Sequence, residues 1–209
     1  MIKAVLFDID GVLIDSHEAN VVFFQNLLVK AGYKKPAKET VWPLFPLTMK
    51  DVIKVLLPKA VNEEIERVWQ MGVDSEVGFP YHMVTVPDGE REIIKKLSGK
   101  YLLGIVTSRV IEGVYSIPIF SELKEYFKAI AAYGDTENHK PSPDPVLFAC
   151  KKLGVKPWEA VYIGDAEADL LAGKAAGAKV IIYGGYENKD ADTFTSSFSA
   201  LPQIIKSLF

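Results

Sequence analysis

Apolar residues along the chain follow two spacings. Five short, nearly continuous apolar runs predict strands: IKAVLF (2–7), YLLGIV (101–106), KAIAAY (128–133), AVYIG (160–164) and KVIIY (179–183). Strands apolar on both faces suit a parallel sheet covered by helices on each side. Between these runs, apolar residues recur three and four apart. DGEREIIKKL puts Ile93, Ile94 and Leu97 on one stripe. PDPVLFACKKLG opens with prolines fitted to a first helical turn and stops at Gly154, and EADLLAGKAAGA closes at Gly177. Strands alternating with helices in this way predict an α/β domain built on a parallel sheet.

One stretch breaks the alternation. From 16 to 84 the pattern is helical throughout, in HEANVVFFQNLLVKAG, LTMKDVIKVLL and NEEIERVWQMGV, with Gly32, Pro43, Pro46 and Pro58 as punctuation. This predicts an all-helical insert at 16–84 within a core made of 1–15 and 85–209. The tail from Glu187 onward reads as a polar loop and then a short closing helix.

Charge and composition narrow the function. A net charge of −3 and a pI near 5.7 provide no basic footprint, so no nucleic-acid partner is expected. No apolar run approaches the length of a membrane span. The start MIKAVLFDID places acids where a signal peptide needs its apolar stretch, so a cytoplasmic protein is expected. Cys150 is the only cysteine, which rules out an internal disulfide and a cysteine metal site.

The chemistry gathers at predicted strand ends. Asp8 and Asp10 follow the first strand, two residues apart, so both carboxylates can face one site; Gly11 follows them. In open parallel sheets, ligands bind beyond the carboxyl ends of the strands, which is where this pair falls. Thr107 and Ser108 end the second run with hydroxyl and backbone donors for a phosphate oxygen, and Asp165 and Asp169 follow the fourth with a second acidic group able to complete a hard-cation site. Lys140 lies in the loop NHKPSPDP. Each feature alone has an ordinary explanation, such as a helix cap, a first-turn acid or a surface lysine. Arg109 reads equally well as an anion-binding residue or a helix-start arginine. His17, His82 and His139 have no metal-ligand spacing, and the GxGxxG, Walker and GxSxG patterns do not occur.

Taken together and in this order, DIDGVLIDS, VTSR, KPSPDP and GDAEAD resemble the four motifs of the haloacid dehalogenase superfamily, with Val12 where a threonine is usual. The resemblance implies a Rossmann-like core with an inserted helical cap. It also implies a phosphatase acting on a small phosphorylated metabolite such as phosphoglycolate or a sugar phosphate. By the same resemblance Asp8 is the nucleophile and Asp10 the general acid and base. Thr107 and Lys140 balance phosphoryl charge, Ser108 and Gly11 bind substrate, and Mg²⁺ is held by Asp8, Asp10 (through its carbonyl) and Asp165, with Asp169 orienting that shell. Lys50, in the insert segment FPLTMKDV, is the expected contact to the leaving group. A 2-haloacid dehalogenase is the weaker alternative, because a halide needs no proton from Asp10. A β-phosphoglucomutase-like phosphomutase is the other, weakened by Asn20 where that branch carries a histidine. The chain is expected to work as a monomer or homodimer.

Overall fold

The computed structural model describes residues 1–186 and 188–208, with the side chain of Ser121 left out. Glu187 and Phe209, the first and last residues of the predicted tail, lie outside the described residues. The chain forms two compact units, Met1–Asp15 with Val86–Phe209, and Ser16–Thr85.

The larger unit is built on a six-stranded, wholly parallel sheet of β1 (Ala4–Phe7), β2 (Leu102–Val106), β3 (Phe127–Ala131), β4 (Ala160–Gly164), β5 (Lys179–Tyr183) and β6 (Thr193–Thr195), in the order β3-β2-β1-β4-β5-β6. All four residues of β1 are fully buried, as a central strand covered on both faces requires. Ala4 stands opposite Leu102 on one side and Ala160 on the other, which brings the ends of β2 and β4 level with the end of β1.

The helices of this unit are α5 (Glu90–Ser98), α6 (Ile111–Tyr115), α7 (Phe120–Leu123), α8 (Asp144–Leu153), α9 (Glu167–Ala176) and α10 (Leu201–Ser207). On one face Val146, Ala149, Cys150 and Leu153 of α8 and Ala172 of α9 close over Leu6, Val106 and Tyr162. Phe7, whose ring meets Phe127 edge-on and stacks with Phe198, belongs to a second packed set. Gly154 and Gly177 end α8 and α9 at φ +68° and +85°, the left-handed stop read from the sequence.

The polar tail departs from expectation. Thr193–Thr195 adds a sixth strand to β5, anchored by Asp192, whose carboxylate accepts the Val180 N–H at 2.9 Å and pairs with Lys174 and Lys179.

The smaller unit contains α1 (His17–Lys30), α2 (Lys38–Val41), α3 (Met49–Leu56) and α4 (Asn62–Val73), and no strand among its described residues. Phe24, Leu27 and Leu28 of α1 bury against Val52 and Ile53 of α3 and Ile65 and Val68 of α4. Thr48 caps α3 by accepting the Asp51 N–H at 3.2 Å. No helix among the described residues is long and apolar enough to cross a membrane.

Glu90 is the exception within this packing. It opens α5, is only 2% exposed, and neither carboxylate oxygen has a hydrogen-bond partner among the described residues. Burial pushes its carboxyl up to about 7 from an ordinary 4.5, with Arg91 only partly opposing the rise. The folded state therefore prefers the protonated acid. Its stability is whole below the unfolded value of 4.5, falls as pH rises from there to about 7, and is level above. We predict that the stability advantage of Glu90→Gln over wild type widens by about 3 kcal/mol between pH 4.5 and pH 8. Denaturant unfolding at the two pH values measures this, and a constant difference would refute it.

Candidate active site

The parallel sheet brings four loop segments to one edge. Asp8 continues β1 by one residue, donating its N–H to the Ile163 carbonyl at 2.9 Å. The chain then turns sharply: Val12, Leu13 and Ile14 all donate N–H groups to the Ile9 carbonyl. This turn needs a positive φ, and Gly11 supplies +80°. A side chain there is also barred by space, since a Cβ on Gly11 would lie 2.1 Å from Asp165 Oδ2. Gly11 thus lets the Asp8–Asp10 turn and the end of β4 approach closely.

Lys140 links the acids. Its Nζ donates to Asp8 Oδ2 at 2.8 Å and to Asp169 Oδ1 at 2.7 Å, and its side chain is 7% exposed. Burial alone would drive the ammonium toward neutrality, but Asp169 and Asp8 outweigh it and raise the lysine well above its ordinary value. Asp169 is saturated with donors: its Oδ1 also accepts from Tyr162 Oη at 2.6 Å, and its Oδ2 accepts the N–H groups of Asp165 and Ala166 at 3.2 Å each. Tyr162 was read only as part of an apolar strand. The structure shows its hydroxyl, buried in the sheet, fixing the acid that holds Lys140.

Thr107 and Ser108 follow β2. The Thr107 N–H donates to the Ala131 carbonyl at 2.9 Å, and Ser108 is half-buried beside it. Sequence reasoning left Arg109 undecided, and the structure places it in the site. Its Nε and Nη2 donate to the two oxygens of Asp10, both at 2.6 Å. The side chain is 13% exposed, so it is not a surface arginine. Adjacency of β2 to β1 was the available signal, because any residue just past Val106 lies beside the Asp8–Asp10 turn.

Lys50 belongs to the smaller unit, where its ammonium pairs with Glu66 and lies 4.7 Å from the Trp69 ring centroid. His17 stacks on Phe45 in that unit, and His139 stacks on Tyr133 in the other.

The charges suggest what could complete the site. Asp8, Asp165 and Asp169 each offer an oxygen within 4.8 Å of the others. Burial pushes Asp165 up to about 8, with Asp8 and Asp169 adding to the rise. Burial likewise lifts Asp8 to about 7 despite the pull of Lys140, with Asp169 and Asp10 contributing. Four carboxylates (Asp8, Asp10, Asp165, Asp169) face two cations (Lys140, Arg109) in the hydrogen-bonded cluster, an excess of two negative charges. One divalent cation would cancel that excess. Because Asp169 already accepts four hydrogen bonds, Asp8 and Asp165 are the acids left to ligate it, with oxygen-only donors that suit Mg²⁺.

Residues 5–183 match the family described as haloacid dehalogenase-like hydrolase. Among curated relatives, pyrophosphatase PpaX of Halalkalibacterium halodurans is 34% identical, over 88% of this chain and 84% of its own. Pyrophosphatase PpaX of Bacillus pumilus is 31% identical, over 85% and 81%. Among solved structures, CbbY from Rhodobacter sphaeroides in complex with phosphate superimposes with a TM-score of 0.83 at 25% identity, over 96% of both chains. The β-phosphoglucomutase of Clostridium difficile reaches 0.79 at 23%, over 99% and 96%, which shows the shared fold. The matched span includes both acidic strand ends and the Lys140 loop, and the chain belongs to the haloacid dehalogenase-like hydrolases.

Proposed function

We propose that the chain is a Mg²⁺-dependent phosphatase that hydrolyses a small phosphorylated metabolite through an aspartyl-phosphate on Asp8. One observation carries this reading: the Asp8 carboxylate is held by a buried lysine at 2.8 Å, beside a second acid whose own charge is disfavoured unless a cation joins it. In the proposed reaction an Asp8 oxygen bonds to phosphorus as the bond to the leaving oxygen breaks, and Asp10 gives that oxygen a proton. Asp10 then takes a proton from the water that attacks the phosphorus, which frees orthophosphate and restores Asp8. Lys140 and the Thr107 hydroxyl offset negative charge on the phosphoryl oxygens. Asp8, Asp165 and the Asp10 carbonyl would hold Mg²⁺, which supplies charge neutralisation and orientation of the phosphate when bound. Asp169 and Tyr162 position Lys140 rather than touch substrate.

The relatives' printed names support a phosphatase over a dehalogenase, and so does Asp10, which a halide leaving group does not need. Asn20 stands where a phosphomutase of this family carries histidine. Its amide is engaged by Ser16, donating to the Oγ at 3.0 Å and to the carbonyl at 3.1 Å, which favours hydrolysis over phosphoryl return. The helical unit would act as the cap, with Lys50 leaving Glu66 to meet the leaving group.

Three measurements test this reading. Asp8→Asn should fold normally yet lose more than about a thousandfold in turnover of p-nitrophenyl phosphate, because an amide cannot form the acyl phosphate; retention of activity would sink the mechanism. Asp165→Asn should melt higher than wild type without metal, because a crowded buried charge is gone. It should also lose most of the stabilisation that Mg²⁺ confers on wild type, about 2.7 kcal/mol at a hundred times Kd. An equal response of both proteins to Mg²⁺ would move the metal elsewhere. Lys50→Ala should lower kcat/KM roughly tenfold or more for the preferred metabolite relative to p-nitrophenyl phosphate. Equal losses on both substrates would remove Lys50 from recognition.

A further inference from the structure

Arg109 is held more firmly than a simple counter-ion requires. Its N–H donates to Thr107 Oγ1 at 3.2 Å, and its carbonyl accepts the Tyr133 N–H at 2.7 Å, so the backbone is fixed on both sides. The side chain reaches 99 residues back along the sequence to grip both oxygens of Asp10. A guanidinium fork with two parallel N–H bonds matches the spacing of carboxylate and phosphate oxygens, which a lysine point charge does not. The location matters as much as the geometry. Asp10 is the group that meets the leaving oxygen in the proposed reaction, so whatever forks Asp10 flanks the leaving half of the substrate.

A neutral alcohol leaving from this position gains little from an adjacent, largely buried cation. A leaving group that carries its own negative oxygens gains much, because the guanidinium is already oriented and water is already displaced. The cluster balances without substrate once a divalent cation is counted, and Arg109 is the cation on the leaving side, as Lys140 is on the nucleophile side.

We propose that Arg109 binds the leaving half of the substrate and that this half is itself a phosphoryl group. The substrate class is then a phosphoanhydride, with inorganic pyrophosphate its smallest member. This inference rests on the aspartyl-phosphate reading above and adds the recognising residue and the substrate class. Asp8 forms its bond to one phosphorus while the bond from that phosphorus to the bridging oxygen breaks. The bridging oxygen departs with its electron pair and a proton from Asp10 as orthophosphate, bound by the Arg109 fork. Water releases the second orthophosphate, and its proton returns Asp10 to its starting state. No oxidant or co-reactant is needed. The relatives named pyrophosphatases agree with this class but assign no residue to it.

The test compares pyrophosphate with p-nitrophenyl phosphate, whose leaving group carries no phosphoryl oxygens, at fixed free Mg²⁺. Wild type should hydrolyse pyrophosphate. Arg109→Gln should lower the ratio of kcat/KM for pyrophosphate to that for p-nitrophenyl phosphate by roughly tenfold or more, with Arg109→Lys in between. An unchanged ratio with equal losses on both substrates would reduce Arg109 to a partner of Asp10 and overturn the proposal. Wild-type activity on p-nitrophenyl phosphate but none on pyrophosphate would also overturn it, while leaving the Asp8 mechanism intact. An active Asp8→Asn protein would instead remove the reading beneath it. A measurement on wild type alone covers the case in which the variants do not fold. Methylenediphosphonate should inhibit p-nitrophenyl phosphate hydrolysis at least roughly tenfold more strongly than methylphosphonate, and equal inhibition would count against the phosphoryl pocket.

Discussion

The ammonium of Lys140 sits between Asp8 at 2.8 Å and Asp169 at 2.7 Å, in surroundings almost closed to water. Without it, buried carboxylates would face one another across a low-dielectric gap, a situation that proteins resolve by taking up a proton or a cation. The rest of the site is organised around this contact. Tyr162 and two backbone N–H groups complete the shell of Asp169, so the acid stays ionised and in place. Asp8 shares the lysine rather than owning it, which leaves its second oxygen to the Ile9 N–H and to whatever enters the site.

The sheet decides which residues can meet. β1 is central, with β2 and β4 as neighbours, so Asp8 and Asp10 lie between the Thr107–Arg109 segment and Asp165. Each strand delivers one chemical type: acids from β1, hydroxyls and a guanidinium from β2, and acids from β4. The ammonium comes from the loop beyond β3, one strand further out. Repulsion between the acids of β1 and β4 opposes this arrangement, and apolar burial of Leu6, Val106 and Tyr162 beneath it outweighs the repulsion. The close approach at Gly11 shows how little slack remains.

Much of this was legible in the residues because the relevant signals are local. Five of the six strands announced themselves as apolar runs, and the helix stops at Gly154 and Gly177 lay where the pattern ended. β6 did not, because Thr193–Thr195 is three residues set among Ser, Asp and Asn. What makes it a strand is the free edge of β5 together with the grip of Asp192 on Val180, and neither is local. Arg109 was ambiguous because its partner lies 99 positions away. Tyr162 passed for a core residue because a strand pattern records that a side chain is inside, not that its hydroxyl is used. Glu90 is the opposite case: an acid in a first helical turn is an ordinary sight, and only the packed structure reveals that it is buried without a partner.

The interruption of the larger unit by residues 16–85 has a consequence for how the chain is made. β1 leaves the ribosome first, yet its hydrogen-bonding neighbours begin at Leu102 and Ala160. Residues 16–85, whose own core is made of contacts among α1, α3 and α4, are complete before either neighbour has been synthesised. A four-residue strand that will end wholly buried must therefore wait, unpaired, through most of translation, while the segment after it can already pack. The nascent protein carries its most aggregation-prone edge at the end that emerges earliest. The cell's safeguard for this chain is needed before the first of the partner strands appears, and it becomes redundant once β4 has docked.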